Sequence, residues 1–248
     1  MLGSASSVSG PNIVLNTAVA EELRQFADVL ENAKDFNSEL HTLIQKTIRE
    51  HKRIIFNGNG YDDEWIEEAA RRGLLNLKTT PDCMPYWLHQ KNIALFTSHK
   101  VFTEVEMRSR YDIVLDNYCK ILSIEALTML SMARQDILPA VSGYAKTLSD
   151  TALAKKQCSA QVDCSYEVKT LEKLSSLEGS MFDKISQLED ALLEAKAYDD
   201  LLTSALAFKD KVFTAMQELR EVADELELIT AESVWPVPSY GDIIFSVR

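Results

Sequence analysis

LEKLSSLEGSMFDKISQLEDALLEAKAYDDLLTSALAFKDKVFTAMQELREVADELELI, running from Leu171 to Ile229, carries the clearest periodicity in the chain. Leu171, Leu174, Glu178, Met181, Ile185, Leu188, Leu192 and Ala195 recur three and four residues apart. Tyr198-Asp199-Asp200 interrupts the pattern, which resumes at Ala205, Phe208, Val212, Ala215, Leu219, Val222, Leu226 and Ile229. Steps of three and four place these side chains on one face of a helix, so the stretch predicts a helical hairpin with a heptad seam on both arms. Each arm is about 30 residues, or about 45 Å at 1.5 Å per residue. Glu178 interrupts the first seam and predicts a register adjustment or a polar contact. The hairpin needs a third apolar surface, and the long helical stretch before it supplies one. The predicted fold is therefore mainly α: a three- or four-helix bundle with little or no β and short extended segments at both ends.

Upstream, Thr103 and Glu106 form a capping box, and residues 104 to about 157 contain almost no helix breaker. Pro139 is one exception and predicts a kink near Gln135 to Pro139, because proline removes a hydrogen bond and clashes with the preceding turn. Ala126 to Ala133 is rich in Met, Leu and Ala and predicts burial on several sides. Nearer the start, Met1 to Pro11 reads as a loop. Asn16 caps a helix to about Glu31 with Val19, Leu23, Phe26, Ala27 and Leu30 on its apolar face. Asn37 or Ser38 caps a second helix with Leu40, Leu43, Ile44, Thr47 and Ile48 as its buried stripe. A third runs from about Asp62 to Arg72, acidic at its start and basic at its end as the helix dipole favours, with Gly73 at the stop. Thr80 and Pro81 open a fourth. The tail changes character: Trp235-Pro236-Val237-Pro238-Ser239-Tyr240 is too proline-rich for helix, and Gly241 to Val247 reads as extended, with Trp235, Tyr240 and Phe245 as anchors. Trp235 and Tyr240 either meet a partner or pack the tail onto the bundle.

The chain has 248 residues, 46% of them hydrophobic, and a net charge of −12. That apolar content supplies a core, and the negative charge argues against nucleic acid and anionic membrane surfaces as partners. No apolar run approaches the roughly 18 residues that cross a bilayer, and no secretory signal is legible. A cytoplasmic protein is expected. Cys83, Cys119, Cys158 and Cys164 form no C-x-x-C pair and read as free thiols, with a Cys158–Cys164 disulfide or a metal site as the alternatives. His41, His51, His89 and His99 show no metal-ligand spacing.

RIIFNGNGYDDEW, Arg53 to Trp65, is the one dense glycine-aromatic loop. Asn57, Gly58, Asn59 and Gly60 all tolerate positive φ, so the loop predicts a tight reversal leading to Tyr61. A glycine-rich loop before a helix could cradle phosphate. Here the helix opens with Asp62, Asp63 and Glu64, which repel an anion, and the spacing fits no nucleotide-binding pattern. The loop reads as structural. No catalytic, cofactor-binding or metal-binding residue is assigned from the sequence.

Four segments carry a resemblance: GSASSVSGPNIVLNTAVAEEL (Gly3 to Leu23), REHKRIIFNGNGYDDEWIEEAARRGLLNLKTTPD (Arg49 to Asp82), IEALTMLSMARQDILPAV (Ile124 to Val141) and WPVPSYGDIIF (Trp235 to Phe245). Together the chain resembles the C-terminal region of type III glutamine synthetases. The resemblance implies ATP-dependent ligation of ammonia to glutamate by the full-length protein, with Mg2+ or Mn2+, in a homo-oligomeric ring. It implies that the metal-binding and ATP-contacting segments precede Met1, so that the chain begins inside a domain. At most, Ser4 to Asn12 would edge the active site. Residues 1–75 would end the catalytic domain, and 76–248 would form a helical C-terminal domain with an extended tail over 233–248. Its expected partners are the rest of the subunit and neighbouring subunits, and its expected role is structural. A stand-alone helical scaffold or regulatory module is the alternative.

Overall fold

The computed structural model describes residues 7–238 and 240–245. Among them there is no strand. The chain divides into two compact units, Met1–Ile113 and Val114–Arg248.

The first unit holds α1 (Ser9–Leu30), α2 (Phe36–His51), α3 (Asp63–Arg71), α4 (Thr80–Trp87), α5 (Gln90–Ser98) and the start of α6 (Glu104–Met132). α1 begins at Ser9, well before Asn16. Pro11 lies in its first turn, where the missing N–H is needed by no helical bond. Asn16 is internal and donates its amide to Asn12 O at 2.9 Å. Asp35 caps α2, in place of Asn37 or Ser38, by accepting from Ser38 N. Gly73, at φ 71°, ends α3 with Gly73 N donating to Ala70 O and Leu74 N to Ala69 O. The same 5→2 and 6→1 pairing ends α5, where Lys100 takes the left-handed position at φ 56°. The predicted apolar faces of the first two helices are not interior: Val19 and Leu23 are exposed, and α2 has no buried residue. The unit's core lies instead at Ile93, Phe96 and Met107, surrounded by Ile13, Trp87, Leu88 and Phe102. Trp87 Nε1 donates to Met107 O at 2.9 Å. The capping box forms as predicted, with Thr103 N donating to Glu106 Oε2 at 2.8 Å and Glu106 N to Thr103 Oγ1 at 3.3 Å.

The second unit holds the rest of α6, α7 (Leu138–Cys158), α8 (Ser165–Lys196), α9 (Leu201–Ala207), α10 (Phe213–Ile229) and α11 (Tyr240–Phe245). A π-turn at Ala133–Ile137 joins α6 to α7, with Leu138 N bonded to Ala133 O. The interruption falls where Pro139 demands it, because the extra residue absorbs the missing hydrogen bond. Ala126 to Ala133 buries one face only: Ala126, Leu130 and Ala133 are inside, and Leu127 is exposed.

The hairpin is present as predicted. α8 packs against α7 on one side and α10 on the other. Leu174, Met181, Ile185, Leu188, Leu192 and Ala195 are buried along one arm, and Ala205, Phe208, Val212, Ala215, Leu219 and Leu226 along the other. A second π-turn, Phe208–Val212, joins α9 to α10. Asp200 caps the second arm, accepting from Thr203 N at 2.8 Å. Glu178 is half-buried without a hydrogen-bond or ion-pair partner among the described residues, and burial pushes its carboxyl up. Tyr240–Phe245 is helical, which corrects the extended reading of that stretch. Once past Pro238 the tail's backbone N–H groups are free to bond, and no proline follows. Ser239 and 246–247, also part of that reading, lie outside the described residues. All four cysteines are unpaired.

Where α7 meets α8, Lys155 forms an ion pair with Glu167, a carboxylate that is itself buried. The ammonium, followed by the residue's own backbone N–H, holds Glu167 below the usual carboxylate range. Its Oε2 has no hydrogen-bond partner. A depressed folded-state pKa contributes stability above the unfolded value and loses it as pH falls through the folded one. Lys155→Met strands a buried charge, which costs most when the carboxyl is ionised. We expect the melting temperature to drop by several degrees at pH 7 and by less near pH 4, where protonation removes the charge. Equal losses at both pH values would show that the lysine stem, not its charge, matters.

Candidate functional site

The loop singled out by its glycines is held by side chains. A short 3-10 turn, Lys52–Ile54, ends α2 and leads into it. Asn59 pins the reversal: its Oδ1 accepts from Tyr61 N at 3.1 Å and its Nδ2 donates to Asp62 Oδ1 at 2.6 Å. No residue from Asn57 to Gly60 has positive φ. The asparagine side chain supplies the turn that left-handed backbone was expected to supply. Tyr61 stands at the tip, 92% exposed.

Behind the tip, Phe56 stacks on Trp65 with ring centroids 4.2 Å apart and planes 25° apart. The Arg72 guanidinium lies 5.6 Å from the Trp65 ring. Arg72 Nη1 donates to Ile55 O at 2.8 Å and Arg53 O at 3.1 Å, and its Nε donates to Glu68 Oε1 at 2.5 Å. Arg72, then Arg71, holds the Glu68 carboxyl below its ordinary range. α3 therefore clasps the strand of loop before it through an arginine fork and an aromatic stack. Gly58 is where this clasp needs glycine: a Cβ there would lie 2.5 Å from Phe56 Cζ. Gly60 meets no such neighbour. We expect Gly58→Ala to swing Phe56 off Trp65 and lose the stack, about 1 kcal/mol. Urea unfolding and Trp65 fluorescence measure it, and an unchanged midpoint with unchanged emission would contradict this geometry.

Beside the loop is an open cleft of about 680 Å3 lined by Arg49, Lys52, Arg53 and Arg72 with Ile48, Ile55 and Asn57. Arg49, Lys52 and Arg53 stand at the C-terminal end of α2, where cations complement the helix dipole. Spacing singled out none of these cations, and the role of Arg72 was legible only as a basic helix end. The Phe56–Trp65 pair was equally hidden, because contact across a loop leaves no period in the sequence.

The second place of interest is the tail. Trp235 is half-buried and lines a cavity of about 400 Å3 with Met129, Met132, Met181, Leu219 and Ile243. Its Nε1 is buried without a hydrogen-bond partner. Tyr240 opens α11, and its side chain lies outside the described residues. Phe245 is 80% exposed. Trp235 and Phe245 thus have different settings.

No three His, Cys, Asp or Glu side chains converge to hold a metal ion among the described residues. No helix among the described residues is long and apolar enough to cross a membrane.

The family model for the glutamine synthetase C-terminal domain matches residues 39–156, from within α2 through the loop to near the end of α7. The chain is 40% identical to a glutamine synthetase of Butyrivibrio fibrisolvens over 86% of its own length and 31% of the relative's. It is 29% identical to a type-3 glutamine synthetase of Dictyostelium discoideum over 98% of its length and 34% of the relative's. A glutamine synthetase of Bacteroides fragilis is 23% identical over 98% of the chain and 35% of the relative. The chain thus spans about a third of the length of the curated relatives it matches. By these matches it belongs to the glutamine synthetase family and carries that family's C-terminal domain.

Proposed function

We propose that this chain works as the C-terminal region of a type III glutamine synthetase and supplies helical packing and subunit positioning. The full-length protein, on this reading, joins ammonia to glutamate with ATP and Mg2+ or Mn2+, in the cytoplasm, as a homo-oligomeric ring. Residues 1–75 belong with the catalytic domain, and 76–248 form the helical extension. The observation that carries the reading is the hairpin: two long arms, α8 and α9–α10, bury an apolar seam interrupted at Glu178, while their polar faces hold ion pairs. Such an element builds shape and not chemistry. The type-3 designation of the Dictyostelium relative supports the subtype. Deleting residues 160–232 from the full-length protein should leave smaller assemblies in sedimentation velocity. An unchanged assembly would refute the positioning role.

A further inference from the structure

In α1 the pattern of burial is inverted. Val8, Leu15, Val19 and Leu23 follow at steps of seven, four and four, and all are more than half exposed. At 100° per residue these four cluster on one side, with Thr17 about 200° from Leu15 on the other. Thr17 is the buried residue of this helix, and Glu21 beside it is partly covered and bonded to His99 Nε2 at 2.7 Å. α1 therefore turns Ile13, Thr17 and Glu21 toward its own unit and leaves Val8, Leu15, Val19 and Leu23 to solvent, while Phe26 and Leu30 at its far end are half-buried. An amphipathic helix in a finished fold does the opposite. α2 repeats this with Ile44 and Ile48, one turn apart and about half exposed.

A second copy of this chain is a poor cover. Along α1, Glu21, Glu22 and Asp28 outnumber Arg24, and the chain carries −12. A two-fold contact would set acidic rim against acidic rim. The comparisons supply a different occupant, because two-thirds of each relative's length lies outside the match. We infer that the aliphatic stripe of α1, with Ile44 and Ile48 of α2, is the surface against which the remainder of the glutamine synthetase subunit folds. The covering surface is apolar, with basic groups opposite Glu22 and Asp28 of α1 and acidic groups opposite Arg49, Lys52 and Arg53 beside Ile48. The inference rests on the functional reading above and adds the face that carries it.

The test uses Val19→Cys and Leu23→Cys in two settings. One is the 248-residue chain. The other is a chimera in which this chain replaces the matched segment of the Butyrivibrio relative. Reaction with a maleimide is followed by the mass of the labelled peptide. Both positions should label at least about tenfold more slowly in an active chimera than in the isolated chain, as expected for groups reached only by local opening. An active chimera labelled as fast as the isolated chain overturns the face assignment and leaves the family role standing. Labelling of the isolated chain that slows with concentration makes a second copy the occupant and also overturns it. A chimera that neither assembles nor ligates overturns the functional reading, and this assignment with it.

Discussion

Leu188→Ala should lower the stability of the second unit by about 3 kcal/mol, within the range for emptying a closed leucine site. Leu188 is fully buried in α8, the helix that packs against both α7 and α10. A void there opens in the helix that both of these pack against, and each is a long helix held along its length by other contacts. Neither can close inward without breaking contacts along its length, so the site collapses poorly and the cavity contribution stays large. Leu193 is the internal control. It has the same side chain five residues on, and it is exposed. Leu193→Ala should fall within about 0.5 kcal/mol of the parent. Urea midpoints of the two variants measure the contrast. Equal losses would mean that the seam runs along a different face of α8.

That contrast was legible in the sequence, because a heptad repeat names its own interior. Leu174, Ile185 and Leu188 were placed inside by spacing alone, and they are inside. Pro139 likewise announced an interruption that the π-turn at Ala133–Ile137 provides. The second π-turn was not announced. Phe208 to Val212 contains neither proline nor glycine, and the spacing runs through it without a stutter. Tertiary packing on α8 decides that turn. At the loop, composition pointed to positive φ, and none of Asn57 to Gly60 has it. Asn59 acts through its side chain and Gly58 through lack of one, beneath Phe56. Arg72, Trp65 and Phe56 come together across a loop, and no periodicity encodes such a meeting. The first two helices show the remaining limit. Their spacing put Val19 and Leu23 on one apolar face and Ile44 and Ile48 in a buried stripe, and all four are exposed; spacing does not say whether a covering surface lies in the same chain.

Phe96→Ala should be the most damaging single change in the first unit, at about 4 kcal/mol. Phe96 is 2% exposed, and its ring lies 5.1 Å from that of Trp87 and 5.6 Å from that of Phe102. Its carbonyl accepts from Val101 N at 3.0 Å, closing the cap at Lys100, a main-chain bond that the substitution leaves in place. Truncation removes one ring of a three-ring cluster in which Trp87 and Phe102 also meet each other, centroids 6.1 Å apart, and with it the ring–ring contribution to both neighbours. This unit has less to spare than the bundle, because its buried apolar cluster is built on Ile93, Phe96 and Met107. Phe96→Leu keeps most of the volume and should recover more than half of the loss. Trp87 reports the change directly, through a shift of its emission as the pocket around its ring opens. If Phe96→Ala and Phe96→Leu unfold at the same urea concentration as the parent, the aromatic cluster is not the unit's core, and its stability must come from the helices whose apolar faces are exposed.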